Sequence, residues 1–409
     1  MAKYNYDKSV LKGLGVGPFL NEVKVREAEI AKGENKPLKA DFNANILAKK
    51  LHPAVQYGVI EKVIDRGDAK TFVIAPDAEK ECTELAYFRA GQYISVNLDI
   101  GEAKLSKPYT LSSGPKDALG NSGNTYAITV KKTANGYASD YILGNWAEGT
   151  KLTLSAPLGE FYYVRLRDAK DIIALAGGSG ITPFYSMAQA IADGIEDFNL
   201  TILYGSRTAD NILLGKELDE VAARSNGKVK IVNILSDEEK KGFEHGFITA
   251  ELIKKYAPKG DYSIFVCGPK AMYAFAEKEI AKLELPKRRV RFELSGEYGD
   301  PSQDPEFPKD MIGKEFKVKV LVRGEEFETT CKSQQTLLNA MESAGIRVPN
   351  DCRSGECGWC HSRLIKGEYY VPAKADGRRL ADATFGWVHP CTTYPLSDIE
   401  IEVFPLLEK

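Results

Sequence analysis

Four of the seven cysteines, Cys352, Cys357, Cys360 and Cys391, fall within the last sixty residues of a chain of 409. Four residues separate Cys352 from Cys357, two separate Cys357 from Cys360, and thirty intervene before Cys391. That C-x4-C-x2-C…C spacing is one at which thiolates hold a [2Fe–2S] cluster, two on each iron. Gly355 and Gly358 let the backbone fold closely over such a cluster and turn N–H groups toward sulfide. Tetrahedral zinc also takes four thiolates, but structural zinc sites usually present two short cysteine pairs, whereas this chain offers three in one loop and a distant fourth. His361 and His389 flank the ligands. A Rieske centre would put histidine in place of two cysteines, and with four cysteines present both histidines are read as supporting or surface residues. Cysteines gathered this way in a large chain point to metal ligation in a reducing compartment, not to a disulfide scaffold.

A second constellation lies upstream. The run "KPYTLSS" joins the cation of Lys107, the ring of Tyr109 and the hydroxyls of Thr110 and Ser112 around Leu111. At the end of a strand, whose faces alternate, Tyr109 could lie on an isoalloxazine while Thr110 and chain amides meet ribityl and phosphate groups. In "NGYASDYI", Gly136, Tyr137, Ala138 and Ser139 could offer N–H groups and a hydroxyl to a pyrophosphate at a helix start; an ordinary helix lid on a barrel is the plainer reading. "LAGGSGITPF" places Gly177, Gly178, Ser179, Gly180, Ile181 and Thr182 between a buried strand and a helix, the setting a dinucleotide site requires. Ser206 and Arg207 close the next strand; Arg207 could meet a 2′-phosphate and so favour NADPH, or form a surface salt bridge. Cys267, Gly268 and Pro269 end the last strand, where Cys267 could sit beside a nicotinamide or merely be buried.

The elements that must position these residues follow from pattern and punctuation. Between residues 54 and 165, short runs rich in branched and aromatic residues alternate with Gly, Asn and Pro turns, which predicts an antiparallel β-barrel. Between 166 and 295, strand-like "DIIALAG", "LTILYG", "VKIVNIL" and "YSIFVCG" alternate with helix-like segments, the signature of an α/β parallel sheet. Residues 296–314, rich in Pro, Gly and charge, read as a linker. Residues 315–409 offer strands, one helix "QTLLNAMESAG" and the cysteine loop, an α+β arrangement with "SRLIKGEYYV" as one strand. Residues 1–53 form a separate N-terminal extension of no legible role, with ten basic and six acidic residues and a short helix around "FNANILAKKLH". A net charge of −2 suggests no nucleic-acid partner. With no apolar run long enough for a transmembrane segment and no apolar centre of a signal peptide, a cytoplasmic location is expected.

Taken in order, "KPYTLSS", "PLGEF", "GYAS", "GGSGITP", "YGSRT" and "VCGP" resemble the ferredoxin–NADP reductase superfamily, and the C-terminal segment resembles plant-type ferredoxins. The resemblance implies a six-stranded flavin barrel, a nicotinamide domain and a β-grasp ferredoxin domain. It assigns flavin to Lys107 through Ser112 and Gly136 through Ser139, and NADH or NADPH to the glycine turn, Ser206, Arg207 and Cys267 to Pro269. Glu293 matches an acidic residue that the family places near the nicotinamide, so Cys267 and Glu293 are the expected catalytic pair. Lys107 departs from the family, which usually has Arg there; FAD is favoured over FMN because "GYAS" has the form of a pyrophosphate clamp. The domain order is similar to that of the phthalate dioxygenase reductase family. This implies an oxidoreductase that takes a hydride from NAD(P)H and passes single electrons through flavin and the [2Fe–2S] cluster to a partner redox protein, an oxygenase or another metalloenzyme. A non-catalytic electron-relay subunit of a larger complex is the alternative. On the ligand assignment, replacing Cys391 with Ser should weaken or abolish the visible spectrum of the cluster while flavin absorption remains; an unchanged cluster spectrum would refute it.

Overall fold

The computed structural model describes residues 16–33, 42–133, 136–293 and 296–404. The chain divides into two compact units, residues 1–48 and 49–409. In the first, helix α1 spans Val16–Lys32; the helix expected around "FNANILAKKLH" is α2, Asn43–Leu51, which runs past residue 48. Of "GLGVGP", whose glycines and proline predict a break in the chain, Val16, Gly17 and Pro18 open α1, and residues 13–15 lie outside the described residues.

The second unit opens with a six-stranded antiparallel sheet: β1 Gln56–Asp65, β2 Ala69–Pro76, β3 Tyr93–Ile100, β4 Ala103–Thr110, β5 Tyr126–Lys131 and β6 Lys151–Leu154, in the order β4-β3-β6-β1-β2-β5. Just past the end of β4, Leu111 makes an isolated bridge to Ile128 on β5, the one pairing between these two edges among the described residues, which leaves most of β4 without a strand partner on its outer side. Alternation drives the curl: Phe72, Ile74, Ile94, Val96 and Ile128 point inward and are buried. Helix α3, Tyr137–Asn145, closes one end, with Trp146 set edge-on to Phe72 at 5.2 Å.

The next sheet is parallel throughout: β7 Asp171–Gly177, β8 Asn199–Ser206, β9 Val229–Leu235, β10 Glu244–His245, β11 Tyr262–Cys267 and β12 Val290–Phe292, ordered β10-β9-β8-β7-β11-β12. Its strands are continuous apolar runs because helices cover them: α4 Thr182–Ala192, α5 Gly215–Arg224, α6 Ala250–Tyr256 and α7 Lys270–Ala281. The strand order reverses at β7, so a crevice must open outside its carboxyl end. The barrel and this sheet share one core. Phe161 and Tyr163, from the end of the barrel segment, pack with Phe184, Phe198 and Phe265, and Phe161 lies 5.2 Å from Phe265.

The last sheet has the order β14-β13-β19-β15-β17, from β13 Glu315–Val322, β14 Glu325–Lys332, β15 Ser362–Lys366, β17 Trp387–Val388 and β19 Ile399–Val403, with a second pair of β16 Tyr369–Tyr370 and β18 Tyr394–Pro395. Helix α8, Leu337–Ser343, buries Leu337, Leu338 and Met341 against it, and the short α9, Leu380–Thr384, leads into β17. The β13–β14 hairpin turns at Arg323 and Gly324, both at positive φ, the geometry that matches strand twist in a two-residue loop. "SRLIKGEYYV" is not one strand. Gly367, at φ +115 with no room for a Cβ beside Asp398, breaks it into β15 and β16.

The expected linker is not a free tether. Phe307 is 1% exposed and meets Tyr370 edge-on at 5.3 Å, a burial worth roughly 1.5–3 kcal/mol. Elsewhere, Arg291 on β12 binds the barrel segment through the carbonyls of Glu160 and Tyr162, the latter at 2.6 Å, and faces the buried carboxylate of Asp168 at 3.5 Å. Arg291→Met should therefore lower stability by about 2–4 kcal/mol, because two carbonyls lose a donor and Asp168 loses a cation. A urea midpoint equal to that of the parent would count against this tie.

Candidate functional site

All the segments expected to bind nicotinamide converge at the carboxyl edge of the parallel sheet. The glycine turn follows β7, Ser206 ends β8, Cys267 ends β11 and Glu293 follows β12. Gly178 adopts φ +52 with open space where a Cβ would stand, and Ser179 is exposed. Gly180 is packed so closely that a Cβ would lie 2.2 Å from the Cys267 carbonyl oxygen. Gly177 likewise meets Pro269 and Met272. Ile181 is wholly buried in the core, and Thr182 donates to the Ser179 carbonyl at 3.1 Å, holding the turn. Ser206 Oγ is buried with no hydrogen-bond partner among the described residues. An orphan hydroxyl beside an open glycine turn fits a dinucleotide. Arg207 is exposed and takes part in a surface salt bridge. Its Nε donates to Asp237 at 2.9 Å, and this partner, with Ser236, holds the Asp237 carboxyl below its ordinary range.

Cys267 is buried, and burial, reinforced by Glu293, pushes its thiol up. Glu293, 7% exposed, is raised to about 8 by burial and by the negative charge of Glu356 and Cys352, against the pull of Arg291. It is therefore a neutral carboxyl at pH 7. Tyr273, which sequence reasoning missed, joins the pair: its hydroxyl donates to the Glu293 carbonyl at 2.6 Å and accepts from Gly268 N–H at 3.3 Å. Only its position four residues after Pro269, on the first turn of α7, hinted at this.

The expected flavin residues divide. Tyr109 and Thr110 are partly exposed, and neither hydroxyl has a hydrogen-bond partner among the described residues. Helix α3 begins at Gly136 without a side-chain cap, leaving the N–H groups of Tyr137, Ala138 and Ser139 at its first turn. A Cβ at Gly136 would fall 2.1 Å from both Ser139 Oγ and Thr133 Oγ1, so a larger residue there would have to turn these hydroxyls aside. These residues fit a flavin with a diphosphate. Leu111 and Ser112 do not face outward. Leu111 lies in the barrel core and Ser112 Oγ bonds Thr129 at 3.0 Å, while their N–H groups donate to Gln92 and Ala127. Closing the barrel consumes what they could have offered. Lys107 departs furthest from expectation: its ammonium lies 2.6 Å from Glu297.

The four cysteines come together as two pairs. Cys360 and Cys391 sulfurs lie 3.4 Å apart. The Cys352 sulfur accepts N–H groups from Ser354 and Cys357 at 3.4 Å each, and the Cys357 thiol with these donors holds Cys352 well below the ordinary thiol range. Two thiols per metal is the division that two irons require. Gly355, at φ +89, leaves no space for a Cβ beside Ala375, and its carbonyl meets the buried His389 Nδ1 at 2.7 Å, so His389 braces the loop. His361 stacks on Trp387 at 4.2 Å. Cys357 is exposed and Trp359 is half-exposed, so one side of the loop faces outward.

Sequence comparison accords with this layout. Residues 59–163 match the oxidoreductase FAD-binding domain, 174–278 the oxidoreductase NAD-binding domain and 320–396 the 2Fe-2S iron-sulfur cluster binding domain. The ferredoxin reductase component of 3-ketosteroid-9-alpha-monooxygenase from Mycobacterium tuberculosis is 30% identical over 353 residues, 83% of this chain and 93% of that protein. The glycine betaine monooxygenase reductase subunit of Chromohalobacter salexigens is 25% identical over 364 residues, 84% of this chain and 94% of its own. Among solved structures, phthalate dioxygenase reductase, described as modular for electron transfer from pyridine nucleotides to [2Fe–2S], superposes with a TM-score of 0.59 at 24% identity, covering 86% of this chain and 98% of that one. Gly180→Ala should weaken binding of NADH about tenfold or more, since the added methyl must displace the Cys267 carbonyl, with flavin and cluster absorbance retained. An unaltered NADH titration would dismiss the turn as the site.

Proposed function

This chain belongs to the family of the ferredoxin reductase components, FAD- and [2Fe–2S]-containing oxidoreductases that carry electrons from a nicotinamide to a partner redox protein, and we propose that its partner is a terminal oxygenase and its donor NADH. The observation that carries the reading is the meeting of the nicotinamide edge and the cysteine loop: Gly296, three residues past Glu293, donates its N–H to the carbonyl of the ligand Cys352 at 3.1 Å. A complete route from hydride donor to one-electron carrier thus lies within one folded unit.

Bound flavin would supply the conversion of a hydride's electron pair into single electrons. The chain's own residues position and insulate. In this reading Tyr109 backs the flavin ring, Thr110 meets its side chain, and the first-turn N–H groups of Tyr137, Ala138 and Ser139 take the pyrophosphate, which favours FAD over FMN. Gly177 through Thr182, with Gly268 and Pro269, shape the bed of the nicotinamide dinucleotide. Cys267 and the neutral Glu293 line the nicotinamide end, where an uncharged carboxyl can donate a hydrogen bond. Cys352, Cys357, Cys360 and Cys391 hold the cluster, and the exposed Cys357–Trp359 side faces the acceptor. Among the described residues no helix is long and apolar enough to cross a membrane; with metal-ligating thiols that need a reducing compartment, this supports a cytoplasmic location.

The Arg207–Asp237 pair supports NADH. Asp237 pairs with Arg207 just past β8, and Glu238, accepting from Ala209 N–H at 2.8 Å, adds a second carboxylate to the same turn, a charge balance that disfavours a 2′-phosphate. The kcat/KM for NADH should exceed that for NADPH about tenfold or more, and Asp237→Asn should narrow the gap; equal constants in the parent would remove the assignment. For the acceptor, the holoprotein is used as bait in its native cell, and co-purified metalloproteins are tested for reduction that needs both NADH and this chain. An oxygenase reduced in this way supports the reading. If the acceptor reduced is a protein of another kind, or none is reduced, the oxygenase proposal falls.

A further inference from the structure

Arg353 follows the ligand Cys352 directly, adopts a left-handed φ of +59 and is 1% exposed. All of its donors are engaged. Nε reaches Glu297 at 3.0 Å; Nη1 reaches the Ser106 carbonyl at 3.0 Å, Glu342 at 2.8 Å and Asn350 at 3.1 Å; Nη2 reaches Glu342 at 2.8 Å and Asn339. Glu342 Oε1 also accepts the Ser106 N–H at 3.2 Å. Lys107 completes the group on Glu297. Two carboxylates and two cations, drawn from the barrel strand β4, the 296–314 segment, α8 and the cysteine loop, thus form one neutral cluster, buried at Arg353 and Glu342 and partly exposed at Lys107 and Glu297.

Its placement is specific. Ser106 and Lys107 belong to the open edge of β4, so the Arg353–Glu342 pair takes the N–H and C=O that a neighbouring strand would have taken. Lys107 stands two residues before Tyr109 on the same strand face, and Arg353 stands one residue after Cys352. No other contact described above joins the flavin strand to the ligand loop at so short a chain distance from both. Buried ion pairs add little net stability over apolar packing, but a bidentate guanidinium fixes orientation in a way that sliding apolar surfaces cannot.

We propose that the Lys107–Glu297–Arg353–Glu342 cluster is a positioning latch that locks the ligand loop onto the flavin strand in one register and thereby sets the rate of electron transfer between them. The inference rests on the reductase reading above. The latch itself carries neither electron nor proton. Because transfer falls off steeply with separation, a small slip of this interface slows it while leaving hydride transfer into the barrel alone. Lys107, 2.6 Å from Glu297, thus serves the interface.

The test is rapid mixing of the anaerobic holoprotein with NADH, following flavin and cluster absorbance separately, in the parent and in Glu297→Gln and Glu342→Gln. Both variants should keep flavin reduction within about twofold and slow cluster reduction about tenfold or more, with cluster spectrum and final extent of reduction unchanged. Cluster reduction at the parent rate, or both phases slowed together, would overturn the latch. If the parent reduces its flavin but never its cluster, the reductase reading fails instead. Hydrogen exchange on the unaltered holoprotein decides independently of the variants' folding: the Ser106 amide should be protected as core strand amides are, and fast exchange there would refute a locked interface.

Discussion

A guanidinium shut away from solvent must find a partner for every N–H, and Arg353 finds them on four different stretches of chain. The cluster loop, the helix beneath it, the segment that joins two sheets and the edge of the flavin barrel must all be in place before the charge is satisfied. Glu297 shows the strength of the arrangement: burial alone would raise its carboxyl, yet Arg353 and Lys107 bring it down to about 2. The group stays ionised across the physiological range, and the four parts are held as one.

A second constraint acts at the other end of the relay. The reversal of strand order at β7 puts the carboxyl ends of β7, β8, β11 and β12 around one crevice, and residues 90 or more apart in sequence become neighbours. Phe161 and Tyr163 extend the core of that sheet into the barrel, so the crevice floor and the flavin strand are parts of one packed body. Gly91 is positioned by the same packing. At φ +102 its missing Cβ would fall 2.1 Å from the Phe161 carbonyl oxygen.

Much of the fold was legible because its signals are local. Turn-punctuated branched runs gave the barrel strands, and apolar strands alternating with helices gave the parallel sheet. The misses have physical causes. Two-residue strands such as β10 and β16 carry no periodicity to read. The 296–314 segment has the composition of a linker, but Phe307 finds a pocket against Tyr370 that composition cannot reveal. Leu111 and Ser112 sit within a motif whose outline is readable, yet barrel closure turns them inward.

Cysteine spacing determined the cluster by itself, since ligands within one loop are fixed by chain geometry over a few residues, and the glycine turns likewise declared themselves from residue type and neighbours. Which charges would pair was decided only by tertiary structure. Nothing in the sequence marks Glu342, 236 positions from Ser106, as the acceptor of its N–H, or distinguishes Arg207 meeting Asp237 from Arg207 awaiting a phosphate. Electrostatic partners are chosen by distance and burial, and both come into being only when the chain has folded.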